Sequence, residues 1–142
     1  MAENYRPILL VEDNPMDIDL TKRAFGKLNI PVPIQIARDG ETALAYISKW
    51  DEGEWIPWII LLDLKLPRVD GLEVLRVMKA HPRYRKIPVI VLSSSSDSGD
   101  IANAYQLGAN SYIIKPVDFD EFMEVVAMLH KYWCCLNIQP GI

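Results

Sequence analysis

The chain holds only two cysteines, and they are neighbours, Cys134 and Cys135. Adjacent cysteines rarely pair with each other, and two are too few for a disulfide framework or a structural metal site. They read as reduced, apolar, helix-borne residues of a cytoplasmic protein. Long apolar runs are also missing. Stretches such as Trp58–Leu62 (WIILL) fall far short of the ~20 residues that a membrane helix needs. The first residues, MAENYRPILLVED, lack the charged start and long apolar stretch of a secretory leader. Basic residues are in deficit: 15 Lys and Arg stand against 19 Asp and Glu, a net charge of −4. That balance argues against a nucleic-acid binder working by phosphate neutralisation and serves solubility. Internal repeats and low-complexity linkers are absent, and Ser93–Ser96 is too short to count as a tract.

What is present fits one soluble domain. At 142 residues the chain is long enough for a single core, and its 50% apolar and 24% charged content is ordinary for a globular protein. Five short runs rich in Ile, Val and Leu are legible as strands: Ile8–Val11, Pro33–Ala37, Ile59–Leu62, Val89–Leu92 and Tyr112–Ile114. Three of them are continuous rather than alternating, as strands buried on both faces are. Helical spacing fills the intervals. One helix begins at Asn14-Pro15, a capping residue followed by proline. The others run roughly Glu41–Lys49, Leu72–Ala80, Gly99–Leu107 and Phe119–Leu136, with Pro82 and Gly108 as stop signals. This alternation predicts an α/β fold, a parallel sheet with helices on both faces. The segment Trp50–Trp58 (WDEGEWIPW) is a longer connection than most, and its three tryptophans are expected to cap a sheet edge rather than contact a partner.

In a parallel sheet the residues just past the strand ends gather on one rim, where ligands bind. Here that rim collects Glu12 and Asp13 after the first strand, Asp63 after the third, Ser93 after the fourth and Lys115 after the fifth. Taken singly, each has a plain explanation: helix cap, turn residue, solvated lysine. Together they make a phosphoryl-transfer constellation. Clustered carboxylates repel, and Mg²⁺, which prefers oxygen ligands, relieves that repulsion. A carboxylate beside Mg²⁺ can be the nucleophile toward a phosphoryl group. Such transfer needs mainly positioning and neutralisation of the equatorial oxygens, which the metal, Lys115, and Ser93 with a backbone N–H would share.

Four segments carry a resemblance to a known family: ILLVEDN (Ile8–Asn14), LLDLKLPRVDGLEVL (Leu61–Leu75), PVIVLSSS (Pro88–Ser95) and GANSYIIKPVD (Gly108–Asp118). In this order and spacing they resemble the response-regulator receiver family over nearly the whole chain. The resemblance implies a doubly wound, flavodoxin-like sheet of five parallel strands in the order 2-1-3-4-5. It implies one receiver domain over 1–142, with a core of about 6–130 and a C-terminal extension. It makes Asp63 the phosphorylated residue, with Mg²⁺ held by Asp13, Asp63, the backbone carbonyl of Lys65 and, through water, Glu12. Lys115 would pair with the phosphoryl group, Ser93 would be the switch hydroxyl and Tyr112 the switch aromatic. The peptide bond before Pro116 would be cis and aim Lys115, and Pro67 and Gly71 would shape the loop after Asp63. Departures are Ser93 where many relatives have threonine, Lys65 with its cation beside the site, and the long Trp50–Trp58 and His130–Ile142 segments. The last two are similar to single-domain regulators paired with cyanobacterial phytochrome kinases.

The implied partner is therefore a histidine kinase, of phytochrome type by the subfamily resemblance, together with an unidentified downstream protein. Neither nucleic acid nor membrane is expected as a partner. On the last helix Phe122, Val125, Val126, Leu129, Trp133 and Leu136 form one apolar stripe, read as a core face. Met128, Tyr132 and Cys135 widen it, either as further buried surface or as a homodimer face made with the preceding helix and strand. Other readings remain: a relay intermediate without its own output, or a non-phosphorylated binding module. An aspartate-nucleophile phosphatase of the haloacid-dehalogenase type would need an aspartate where Lys65 stands. A flavodoxin-like cofactor binder would need a Ser/Thr/Gly loop in place of Glu12–Pro15.

Overall fold

The computed structural model describes residues 6–142, so the reading of the N-terminus as leaderless falls partly outside them. Five strands, β1 (Ile8–Val11), β2 (Ile34–Ala37), β3 (Ile60–Leu62), β4 (Val89–Ser93) and β5 (Ser111–Ile114), form one parallel sheet in the order β2-β1-β3-β4-β5. The three continuous runs are the three central strands, and every residue in them is buried. The edge strands β2 and β5 are mostly half-buried.

The helices are α1 (Pro15–Lys27), α2 (Gly40–Asp51), α3 (Gly71–Ala80), α4 (Ser98–Gln106) and α5 (Phe119–Leu129). Each starts behind an Asn or Asp whose side chain accepts a backbone N–H of the first turn: Asn14, Asp39, Asp70, Asp97 and Asp118. Such caps contribute about 0.5–2 kcal/mol each and fix where every helix begins. Because side chains alternate across a strand, the sheet feeds two cores. Leu9, Val11, Ile60, Leu62, Val89 and Val91 pack with α2, α3 and α4. Ile8, Leu10, Leu61, Ile90 and Leu92 pack with α1 and α5. Gly108 stops α4 at φ +106°, a conformation that favours glycine.

Two expectations need correction. Trp50 is not in a connection but on the last turn of α2, fully buried and edge-on to the Tyr84 ring, at 5.1 Å between centroids. Of the other two tryptophans, Trp55 is exposed and Trp58 lies half-buried under the Arg6 guanidinium. Trp58 N–H donates to the Pro7 carbonyl, so this segment lies against the lower ends of the central strands rather than a sheet edge. Leu136 is exposed rather than on a core stripe. The chain beyond α5 is a π-helical stretch, His130–Leu136, whose longer i→i+5 turns carry the stripe off the core face. The tail then folds back: Gln139 Nε2 donates to the Trp58 carbonyl at 2.6 Å, and Lys86 Nζ to the Gly141 carbonyl at 3.1 Å. Ile142 packs against the α2/α3 core.

Candidate phosphoryl-accepting site

The rim residues converge as the sequence indicated. Glu12, Asp13 and Asp63 each place one carboxylate oxygen within 4.8 Å of the others. They come from the ends of β1 and β3, neighbours in the sheet whose register sets Val11 beside Leu62. Glu12 is buried, Asp63 half-buried and Asp13 exposed, so the cluster opens outward. An all-oxygen, carboxylate-rich donor set with one face open suits Mg²⁺, which keeps several waters.

Lys115 reaches this cluster from the end of β5. Its Nζ donates to Glu12 Oε1 at 2.5 Å and to Asp17 Oδ2 at 2.9 Å, and lies 3.7 Å from Asp63 Oδ2. Burial pushes the ammonium down, but its hydrogen bonds to Glu12 and Asp17 outweigh that, so it is held charged. Burial raises the Glu12 carboxyl to about 7, against the opposing pull of Lys115. Asp17 was not anticipated; in sequence it reads only as an acidic residue in a first helical turn.

The bond before Pro116 is trans, since no described residue has a cis peptide. This corrects the expectation: proline lowers the trans preference without reversing it, and Lys115 is aimed by its two carboxylates instead. Gly71 shapes the loop after Asp63 by close approach rather than by a positive φ. A Cβ there would lie 2.3 Å from the Asp63 carbonyl oxygen, while Gly71 N–H donates to Leu64 O at 2.8 Å. The loop is tight elsewhere too, with Arg68 at φ +68° and ion-paired to Glu41 at 3.4 Å. The Lys65 side chain is exposed, and its N–H lies at 3.5 Å from Asp63 Oδ1.

Ser93 ends β4, fully buried, and its Oγ accepts the Ser95 N–H at 3.2 Å. Tyr112 is half-buried, and its hydroxyl donates to the Ser95 carbonyl at 2.9 Å. Both residues therefore bear on one short loop, which Ser95 ties to α4 by donating to Asp100 at 2.6 Å. Met128, Tyr132 and Cys135 are not brought to this site and are exposed.

A carboxylate trio at the strand ends, with a charged lysine across it and a hydroxyl behind it, accompanies a sequence match over residues 8–127 to the response regulator receiver domain. The chain belongs to the response regulator receiver family. It is 43% identical over 141 residues to the probable methanogenesis regulatory protein FilR2 of Methanothrix harundinacea, covering 99% of this chain and 91% of that one. It is 36% identical over 128 residues to the response regulator Rcp1 of Synechocystis, covering 89% of this chain and 87% of that one. Among solved structures, the phosphorylated cyanobacterial phytochrome response regulator RcpA superposes with a TM-score of 0.89 at 36% identity, over 96% of this chain and 99% of that one. Of these three, RcpA is named as a phytochrome response regulator. The sheet order is the one the resemblance implied. No helix among the described residues is long and apolar enough to cross a membrane.

Proposed function

We propose that Asp63 of this receiver accepts a phosphoryl group from the phosphohistidine of a partner kinase. The N–P bond of the donor breaks as the Asp63 O–P bond forms. The observation that carries this reading is the placement of Lys115 Nζ, charged and 3.7 Å from Asp63 Oδ2, beside a metal-competent trio of carboxylates. Asp13 and Asp63 would hold Mg²⁺ directly, with the Lys65 carbonyl as a further ligand and Glu12 through water; Rcp1 has been crystallised with Mn²⁺. Bound there, the metal would neutralise charge on the phosphoryl oxygens. Lys115 would donate to one of those oxygens, and the Ser93 hydroxyl to another. Once Ser93 turned to the phosphoryl group, the Ser95 N–H would lose its present acceptor, and Tyr112, tied to the same loop, would respond. Return to the resting state needs only hydrolysis of the acyl phosphate at this site.

The test is incubation with acetyl phosphate and Mg²⁺, read on a phosphate-affinity gel. The wild-type chain is expected to shift and Asp63→Asn to stay unshifted. A shift that survives in Asp63→Asn would move the acceptor elsewhere.

For the partner, the likeness to RcpA supports a phytochrome-type histidine kinase. Red/far-red-dependent phosphotransfer from a bilin-loaded kinase tests it, and light-independent transfer would sink it. The chain is taken as one receiver unit with an extension, signalling through a downstream protein. A homodimer through α4, β5 and α5 is supported by the exposed apolar side chains of Ile114 and Met128 there and of Tyr132 just past α5.

A further inference from the structure

The Lys115 ammonium has three N–H donors, and the three oxygens around it are not equivalent. Glu12 at 2.5 Å and Asp17 at 2.9 Å are hydrogen-bonded, whereas Asp63 at 3.7 Å is beyond hydrogen-bond reach. Two donors are thus engaged, and one is left facing the carboxylate on which the phosphoryl group is proposed to form. Glu12 belongs to the candidate metal trio and Asp17 does not. Asp17 is therefore the one of these partners whose interaction with Lys115 is not shared with a metal site.

The surroundings fix this arrangement. Asp17 sits in the first turn of α1, where Thr21, itself buried, donates from Oγ1 to the Asp17 carbonyl at 2.8 Å. The capping of that helix is already done by Asn14, so the Asp17 carboxylate is free for Lys115. Asp17 and Lys115 line a cavity of about 30 Å³ together with Glu12 and Asp63, walled by Leu20 and Thr21 of α1 and Phe119 and Phe122 of α5, with room for about one water. The ammonium, with 14% of its side chain exposed, is held by carboxylates rather than by bulk solvent.

We propose that Asp17 is a positioning residue: by holding one N–H of Lys115 it directs a free N–H of the ammonium at the phosphoryl oxygens on Asp63. The inference rests on the proposed acceptor role of Asp63. It gives the first turn of α1 a part in phosphoryl transfer without contact with the group transferred.

The experiment uses the full chain with acetyl phosphate and Mg²⁺, comparing wild type, Asp17→Ala, Asp17→Asn, Lys115→Ala and the Asp17→Ala/Lys115→Ala pair. Initial phosphorylation rates are measured alongside affinity for beryllofluoride, a phosphoryl mimic, and the thermal midpoint of each variant. Asp17→Ala is expected to slow phosphorylation and weaken beryllofluoride binding by about tenfold each, the scale of one charge-assisted hydrogen bond. Asp17→Asn keeps an acceptor oxygen and should recover part of the loss. In the Lys115→Ala background, Asp17→Ala should have no further effect. Wild-type behaviour of both Asp17 variants would overturn the proposal, as would an Asp17→Ala loss that adds in full to that of Lys115→Ala. Should Asp17→Ala not fold, Asp17→Asn alone decides it: a slowed rate supports the role and an unchanged rate overturns it. A wild-type chain that takes neither acetyl phosphate's phosphoryl group nor beryllofluoride would instead overturn the acceptor reading of Asp63, and this proposal with it.

Discussion

Lys115 Nζ lies 2.5 Å from Glu12 Oε1, an ion pair that joins the ends of β5 and β1 although two strands separate them in the sheet. Lys115 thereby serves as the internal counter-ion of the carboxylate trio. Removing one partner of a buried pair leaves an uncompensated charge. Lys115→Met is therefore expected to lower the thermal midpoint in metal-free buffer and to raise the Glu12 carboxyl further. Mg²⁺ should bind the variant more tightly, having no resident cation to oppose it, so added Mg²⁺ should raise its midpoint more than that of the wild type. Thermal melts with and without Mg²⁺ check this, and equal shifts would contradict it.

Gly71→Ala tests the packing of the loop after Asp63. The added methyl would meet the Asp63 carbonyl oxygen at 2.3 Å and Leu64 Cα at 2.4 Å. Both are backbone atoms and cannot turn aside as a side chain can. The loop must move, at a cost of about 1–3 kcal/mol. Urea unfolding should show that loss, and phosphorylation should slow because the displaced carbonyl belongs to Asp63 itself. Unchanged stability would mean that the loop yields freely.

Much of the fold was legible, for definable reasons. The central strands announced themselves because burial on both faces demands unbroken Ile, Val and Leu, as in Ile8–Val11 and Val89–Leu92. The helix starts followed from Asn and Asp caps. Asp63, Asp13, Glu12 and Lys115 were found because strand ends of a parallel sheet share a rim. Asp17 was missed because nothing in its local sequence separates a lysine's partner from a helix-dipole acid; only the approach of residue 115 does so. Nothing in the polar run Asp51-Glu52-Gly53 marks Trp50 as helical, yet a helix accepts Trp on its last turn when a ring such as Tyr84 covers it. The drift of Leu136 off the stripe reflects a change of helical period that a fixed spacing cannot register.

Lys79 provides a test by pH. Burial lowers its ammonium to about 8, while its Nζ donates to the Arg85 and Ile87 carbonyls at 3.0 and 2.8 Å. A lysine with a lowered folded value makes the unfolded chain bind more protons between about 8 and the ordinary lysine value of 10.5, so its contribution to stability rises with pH across that window. Lys79→Met lacks this titration. The stability of the wild type relative to Lys79→Met should therefore improve from pH 7.5 to pH 10, with most of the change above pH 8. Urea unfolding at both values measures it, and a difference that stays flat would show that Lys79 titrates normally.

The exposed face of α5 sets the last prediction. Met128, on α5, and Tyr132, in the π-helical stretch that continues it, are 63% and 51% exposed. Beside them a groove of about 320 Å³ is lined by Ile113, Val125, Met128, Leu129 and Trp133, with scarcely a polar group. A charge placed in such a patch costs little in the monomer, since the side chain already faces water, but it must be desolvated at an interface. Tyr132→Glu should therefore leave the thermal midpoint of the monomer within about 2 °C of wild type, the scale of a surface substitution. In sedimentation velocity over a concentration series, with beryllofluoride and Mg²⁺ present, the wild type should move toward the dimer and Tyr132→Glu should remain monomeric. If the two associate equally, α5 is not the contact. If the wild type is monomeric at every concentration, with and without the mimic, there is no homodimer for this face to form.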